Sequence, residues 1–312
     1  MGNRKMQWGW WFEDDEDFCW KTMRGLYEEN VRKRMSMQSP VGGESPGSPS
    51  KETASPRIPR IIHQIWLGGN IPEQFLAWRN TWIDLHPEWQ HILWTEEDVE
   101  ELAMLNPEAY KNAPNLGAKS DLLRLEVVWR FGGLYIDIDF ECLKSFDVLH
   151  DHLDFYAGLS NVGAMEISNG IFAARKKHPI LKKLLMDQDK KLPAIGAAAR
   201  LNWVGMPTIT ASGPGRFTRV FARAMREIEA KHSQSEEEGD EDYGFVAVLP
   251  IDFFFALPNS VISADLSTRK RMTEEALKPC SFAIHHWAGS WLKVQYGLPA
   301  WSSEKDEREE EL

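Results

Sequence analysis

The clearest periodic signal in the chain lies between residues 60 and 140, where short apolar runs alternate with stretches that are apolar on one helical face only. Arg60 to Leu67 (RIIHQIWL) is isoleucine-rich and bounded by Pro59 and Gly68-Gly69, which predicts a buried strand. Phe75, Trp78, Trp82 and Leu85 recur at helical spacing, so a helix is expected over Pro72 to Leu85. Trp89 to Trp94 reads as the next strand. A helix should follow from Thr95, its N-cap, to Leu105. Another is expected from Ser120 to Arg130, with Leu122, Leu125, Val128 and Trp129 on one face and Gly132-Gly133 as its stop. Strand, helix, strand, helix, helix, strand is the order of an α/β sheet flanked by helices.

The next apolar run, Leu134 to Phe140, reads LYIDIDF. As one continuous strand it would send Leu134, Ile136, Ile138 and Phe140 to one side and Tyr135, Asp137 and Asp139 to the other. Two carboxylates buried on one face are costly without a partner. Either that face meets solvent, or a divalent cation sits on it; oxygen ligands suit Mg²⁺ or Mn²⁺, completed by water and substrate phosphates. Asp121 and Arg124 lie three residues apart on the preceding helix, near its expected start. They form either a surface ion pair or a seat for a phosphate.

Ala283 to Trp291 (AIHHWAGSW) concentrates two histidines, a serine and two tryptophans. His285 or His286 is a candidate third metal ligand, and an imidazole would tilt the choice toward Mn²⁺. Ser290 and the Trp291 N–H are candidate donors to a phosphate. The alternative is a structural histidine beside core tryptophans.

Composition narrows the classes. A formal net charge of −11 argues against general nucleic-acid binding, which needs a basic surface. Cys19, Cys142 and Cys280 show no metal or disulfide spacing and read as free thiols. No apolar stretch is long enough for a transmembrane helix. Fourteen tryptophans are many, and indoles suit the flat faces of sugars and nucleobases as well as a core. Residues 38–56 are a Ser/Pro/Gly linker, expected to be disordered. A tryptophan-rich segment over 1–37 precedes it, either a docking helix or a handle for an unknown partner. The folded domain is expected over 57–301, with an acidic tail over 302–312.

IHQIWLGG at 62–69, SDLLRLEVVWRFGGLYIDIDF at 120–140 and HHWAGSW at 285–291 together resemble glycosyltransferase family 32. This family of DXD sugar transferases includes fungal initiating and sphingolipid mannosyltransferases. The same blocks are more distantly similar to the catalytic domain of clostridial glucosylating toxins. The resemblance spans roughly residues 57–295. It implies the GT-A nucleotide-sugar-binding fold, a central mixed, mostly parallel sheet flanked by helices.

It also implies transfer of a hexose from a UDP- or GDP-sugar, with retention of configuration, to a hydroxyl of a glycan, glycolipid or protein. By the same resemblance Trp66 stacks on the donor base, with His63 and Gln64 lining that pocket through their backbone. Asp121 and Arg124 hold the donor sugar and diphosphate, and Tyr135 lies near the ribose or phosphate. Asp137 contacts ribose and sugar and reaches the metal, whereas Asp139 is the firm metal ligand. Asn169 lies beside the donor sugar, and Ser212-Gly213-Pro214 resembles a Thr-Gly-Pro turn of the family. His285 fits the family spacing better than His286.

Two rival classes remain open at this level. A DxD strand also opens some metal-dependent phosphohydrolases, but there it lies on the first strand. A non-catalytic carbohydrate- or partner-binding protein on a transferase fold is the other. Fungal members carry a Golgi anchor that this sequence lacks, so a cytoplasmic location is expected, with a truncated Golgi protein or a secreted effector as alternatives.

Overall fold

The computed structural model describes residues 24–33, 55–161, 165–187, 206–234 and 242–289. In chain order the first half contributes β1 (Ile61–Ile65), α1 (Glu73–Leu85), β2 (Gln90–Trp94), α2 (Leu116–Phe131), β3 (Gly133–Ile136) and β4 (Phe140–Cys142). The second half contributes β5 (Phe155–Asn161), β6 (Met165–Ala174), α3 (Pro179–Met186), α4 (Pro214–Gln234), β7 (Val246–Leu249), α5 (Leu266–Ala276) and β8 (Ala283–His285). Helices shorter than eight residues are left unlabelled.

A six-stranded sheet runs in the order β2-β1-β3-β6-β5-β7. β1 pairs in parallel with β2 and β3, and β5 with β7; β6 runs antiparallel to both β3 and β5. This is the mixed, mostly parallel sheet flanked by helices that the family resemblance implied. β4 and β8 form a separate antiparallel pair.

The sheet is buried on both faces, and β3 shows the division. Tyr135 joins the cluster containing Leu123, Val127, Phe172 and Phe217, under α2 and α4. Leu134 and Ile136 join the opposite cluster with Ile62, Trp82 and Phe140. Gly133 makes the close β1–β3 approach feasible: a Cβ there would lie 2.5 Å from the carbonyl oxygen of Ile61, and its φ of +109° is one L side chains rarely adopt.

Three sequence expectations are corrected. The helix expected over Thr95–Leu105 is only Glu96–Glu100, capped by the Thr95–Asp98 box, and a second short helix covers Pro107–Lys111. Pro107 disfavours helix at the residue before it, and Glu126 draws the chain aside by accepting the N–H of Leu105 at 3.0 Å. The Ser120–Arg130 helix starts a turn earlier, at Leu116, because Asn115 caps it through the N–H of Ala118 at 2.8 Å. Asp121 and Arg124 therefore stand in the body of α2 rather than at its N-terminal end. The run Leu134–Phe140 is not one strand either. β3 ends at Ile136, and the Phe140 N–H closes a turn on the carbonyl of Asp137 at 3.2 Å, sending the chain into β4.

Residues 24–33 lie on the sheet edge, where the Asn30 side-chain amide donates to the Val246 carbonyl at 2.7 Å and Val31 is buried. Covering an edge strand in this way removes a site for unwanted pairing. The tryptophans of the first twenty residues, Cys19, nearly all of the linker and the acidic tail lie outside the described residues. Among the described residues no helix is long and apolar enough to cross a membrane. Cys142 and Cys280 are free.

Candidate active site

The turn after β3 is where the chemistry gathers. Asp137, Asp139 and His285 each offer a ligand atom within 4.8 Å of the others. It is the turn, and not alternation along a strand, that faces the two aspartates toward a common point. β4 then pairs with β8 in the register Phe140–His285, which delivers the imidazole. His285 Nε2 lies 3.2 Å from Asp139 Oδ1, and the Ala288 N–H donates to Asp139 Oδ2 at 2.9 Å. The Asp139 side chain is 12% exposed against 31% for Asp137, so the mouth of the site is on the Asp137 side.

α2 supplies the second half. Arg124 Nη1 lies 3.1 Å from Asp137 Oδ1 and donates to the Asn169 carbonyl at 2.9 Å. Its Nη2 lies 3.2 Å from Asp121 Oδ1. Asp121 also accepts from the Asn169 side-chain amide and the Ser212 hydroxyl, each at 2.7 Å. Tyr135 is buried under the Arg124 guanidinium, 4.6 Å from its ring centroid, and its hydroxyl donates to Asp137 Oδ1 at 2.6 Å. A Cβ on Gly170 would meet Asp137 Oδ2 at 2.6 Å, so the glycine is a space the carboxylate needs.

The two motif aspartates differ electrostatically. Burial raises the pKa of Asp137, opposed by Arg124, while the charge of Asp139 raises it further. Burial works on Asp139 too, yet His285 and the Ala288 N–H outweigh it and hold that carboxyl below its usual value. Asp121 is raised, chiefly by burial, against the opposing pull of Arg124 and its hydrogen bonds. Burial would lower Arg124, but Asp137, Tyr135 and Asp121 together raise it, so it stays a cation.

Not every candidate meets here. The His63 ring is buried: its Nδ1 accepts from the Trp94 indole at 3.1 Å and its Nε2 lies 2.8 Å from the Gly132 carbonyl. Burial pushes its pKa down to about 4, so its side chain is a neutral structural pin between β1, β2 and the end of α2. Gln64 is buried with its side-chain nitrogen unpaired among the described residues. Trp66 is half-buried, its indole donating to the Gly69 carbonyl at 2.9 Å and its ring 5.2 Å from that of Phe75. It packs in the small cluster that contains Ile138, beside the turn. His286 turns its Nε2 to Glu141 at 3.0 Å and does not join the Asp137–Asp139–His285 group. Ser290 and Trp291 lie outside the described residues.

The sequence understated four neighbours of the site. Ser212 stood out only as part of a turn, Gly170 carried no signal, and a backbone donor such as Ala288 has none to carry. Glu141 could have been found from its place two residues after Asp139.

A DXD turn beside a buried Asp–Arg pair has a counterpart among known families. Residues 72–156 match the family described as "Glycosyltransferase sugar-binding region containing DXD motif". That stretch is similar to DXD-type glycosyltransferase regions. It holds Asp121, Arg124, Tyr135, Asp137 and Asp139, and it ends before Asn169, Ser212 and His285 are reached.

The chain is 31% identical over 135 residues to inositol phosphoceramide mannosyltransferase 3 of Schizosaccharomyces pombe, covering 42% of this chain and 37% of that protein. It is 33% identical over 153 residues to inositol phosphoceramide mannosyltransferase 1 of the same yeast, covering 45% and 47%. The chain thus spans less than half the length of either relative. A longer, weaker likeness joins it to the initiation-specific alpha-1,6-mannosyltransferase of Candida albicans, at 22% identity over 85% of this chain and 77% of that one. Among solved structures, the catalytic domain of alpha-toxin from Clostridium novyi is similar with a TM-score of 0.46 and 11% identity over 83% of each chain.

Proposed function

We propose that the chain is a retaining, divalent-metal-dependent glycosyltransferase that moves a hexose from a UDP- or GDP-sugar to a hydroxyl of a glycan, glycolipid or protein. The observation that carries this reading is the convergence of Asp137, Asp139 and His285 within 4.8 Å, inside a DXD glycosyltransferase region and beside Arg124. The names of the fungal relatives favour mannose as the sugar.

The donor set fits a divalent cation. Two carboxylates and an imidazole around one point are the mixed oxygen–nitrogen environment that Mn²⁺ accepts, and Mg²⁺ accepts with water in place of nitrogen. Asp139, kept ionised by His285 and the Ala288 N–H, is the firmer ligand; Asp137 stands at the open side, where ribose and sugar would approach. When bound, the cation would neutralise charge on the departing nucleoside diphosphate.

The protein's own groups do the rest. Arg124 places a fixed positive charge beside Asp137, and Asp121, Asn169 and Ser212 hold its environment in one hydrogen-bonded arrangement, so little reorganisation is needed as charge develops. Trp66 offers an aromatic face for the base. Retention by double displacement would need a carboxylate free to attack the anomeric carbon. The buried Asp121 is engaged on both oxygens by Asn169, Ser212 and Arg124. This supports front-side attack, with the departing phosphate taking the acceptor proton.

Incubation with a panel of UDP- and GDP-sugars and Mn²⁺, followed by chromatography of the nucleotides, tests the reading. Free nucleoside diphosphate and transferred or hydrolysed sugar are expected from at least one donor. Release of inorganic phosphate instead would indicate a phosphohydrolase, and binding without turnover a carbohydrate-binding protein. A trapped covalent glycosyl-enzyme would overturn front-side attack.

A further inference from the structure

His286 is unused by the reading above, yet three elements meet on it. Its ring stacks on Trp78 of α1, with centroids 4.2 Å apart and planes at 7°. Its Nε2 lies 3.0 Å from Glu141 Oε2 on β4. Its backbone N–H donates to the carbonyl of Asp139 at 2.9 Å. The side chains of His286 and Glu141 are 19% and 34% exposed, so this is a partly enclosed contact and not a loose surface pair.

The residues on either side of His286 are the ones that touch Asp139. His285 reaches Asp139 Oδ1, and Ala288 donates to Oδ2. The chain is bent sharply between them, with Trp287 at a positive φ of 57°, an uncommon conformation for a bulky residue that its surroundings must hold. The Trp287 indole is tied by a 2.9 Å bond to the Leu257 carbonyl. On the other side of the bend, His286 is pinned by α1 and β4. Trp78 continues into the Phe75 and Trp66 rings, at 5.4 and then 5.2 Å, so the pin joins the aromatic platform proposed for the base.

We infer that His286, clamped between Trp78 and Glu141, is a positioning residue that seats His285 and the Ala288 N–H on Asp139, and is not itself a metal ligand. The inference rests on the metal-site reading given above. Groups that orient metal ligands without touching the metal typically change affinity about 10- to 100-fold when removed.

The test is Mn²⁺ binding by isothermal titration calorimetry, with thermal unfolding of each metal-free protein alongside. The variants are His286→Phe, which keeps a ring for Trp78 and the backbone N–H but loses Glu141, together with Glu141→Ala and Glu141→Gln. His286→Phe and Glu141→Ala should weaken Mn²⁺ about 10- to 100-fold with unchanged stoichiometry. Glu141→Gln, which still accepts a hydrogen bond, should recover most of that loss. A merely structural role would lower the metal-free midpoint and leave Mn²⁺ affinity of the folded protein unchanged, and that result overturns the inference. So does complete loss of binding in His286→Phe, equal to the loss in Asp139→Asn, because it would make His286 a ligand. Wild-type protein that binds no Mn²⁺ would overturn the metal-site reading itself, and the inference with it.

Discussion

Arg124, on α2, lies 3.1 Å from Asp137, beyond the end of β3, while its other donors hold Asp121 and the carbonyl of Asn169. One guanidinium thus ties the helix, the DXD turn and β6 together, and it does so while 8% exposed. Replacing it removes the cation that lies between Asp121 and Asp137.

Arg124→Met should accordingly act on stability and on activity. Leaving the buried Asp121 without its partner costs about 3–5 kcal/mol. Loss of a fixed charge aimed at the leaving group should lower turnover by about 100- to 1,000-fold. Urea unfolding and nucleoside diphosphate release measure the two separately. Arg124→Lys should rescue little of the turnover, since an ammonium cannot span Asp121, Asp137 and the Asn169 carbonyl at once.

Gly170→Ala isolates the placement of Asp137. The added methyl would sit 2.6 Å from Asp137 Oδ2, and the strand conformation of residue 170 itself accepts alanine. Asp137 must therefore rotate away from Tyr135 and Arg124. The expected outcome is a higher Mn²⁺ requirement in the release assay with a small change in thermal midpoint; an unchanged Mn²⁺ dependence would show that Asp137 is free to move.

Acid stability reports on the buried histidines. Burial lowers the pKa of His63 and of His178 to about 4 and of His150 to about 3, from 6.5. The unfolded chain takes up these protons below 6.5 while the folded protein does not, so their contribution is intact above that value and falls with pH beneath it. Each such group contributes at most about 1.4 kcal/mol per pH unit between roughly pH 6 and 4, most fully near pH 5, and His86, lowered by burial as well, acts in the same direction. Urea midpoints across that range check it. His150→Gln should flatten the slope by about 1 kcal/mol per pH unit, since one proton of the set is removed.

The legible part of the fold was the part written in side-chain periodicity. Ile61–Ile65 appeared where an isoleucine-rich run is bounded by Pro59 and Gly68-Gly69, Gln90–Trp94 within the apolar run from Trp89 to Trp94, and Glu73–Leu85 where Phe75 and Trp82 recurred at helical spacing. What the pattern could not show was where backbone hydrogen bonds redirect the chain. LYIDIDF alternates perfectly, yet the Phe140 N–H turns back to the Asp137 carbonyl and breaks the strand. The start of α2 is set by Asn115, a cap that also donates to Thr208 at 2.9 Å. In the candidate site, Asp121, Arg124, Asp137 and Asp139 lie together with Asn169, which only the family resemblance had singled out. The residues alone left His285 and His286 open; the resemblance favoured His285, and the β4–β8 register carries that residue to Asp139.

The central claim is that Asp139, with Asp137 and His285, holds a cation that serves the release of a nucleoside diphosphate. The direct measurement is nucleoside diphosphate release by wild-type protein and by Asp139→Asn, each in Mn²⁺ and in EDTA, with the donor selected by the panel. Release by the wild type in Mn²⁺, and its loss both in EDTA and in Asp139→Asn, is the predicted result. Equal release by Asp139→Asn, or release by the wild type undiminished in EDTA, would contradict it.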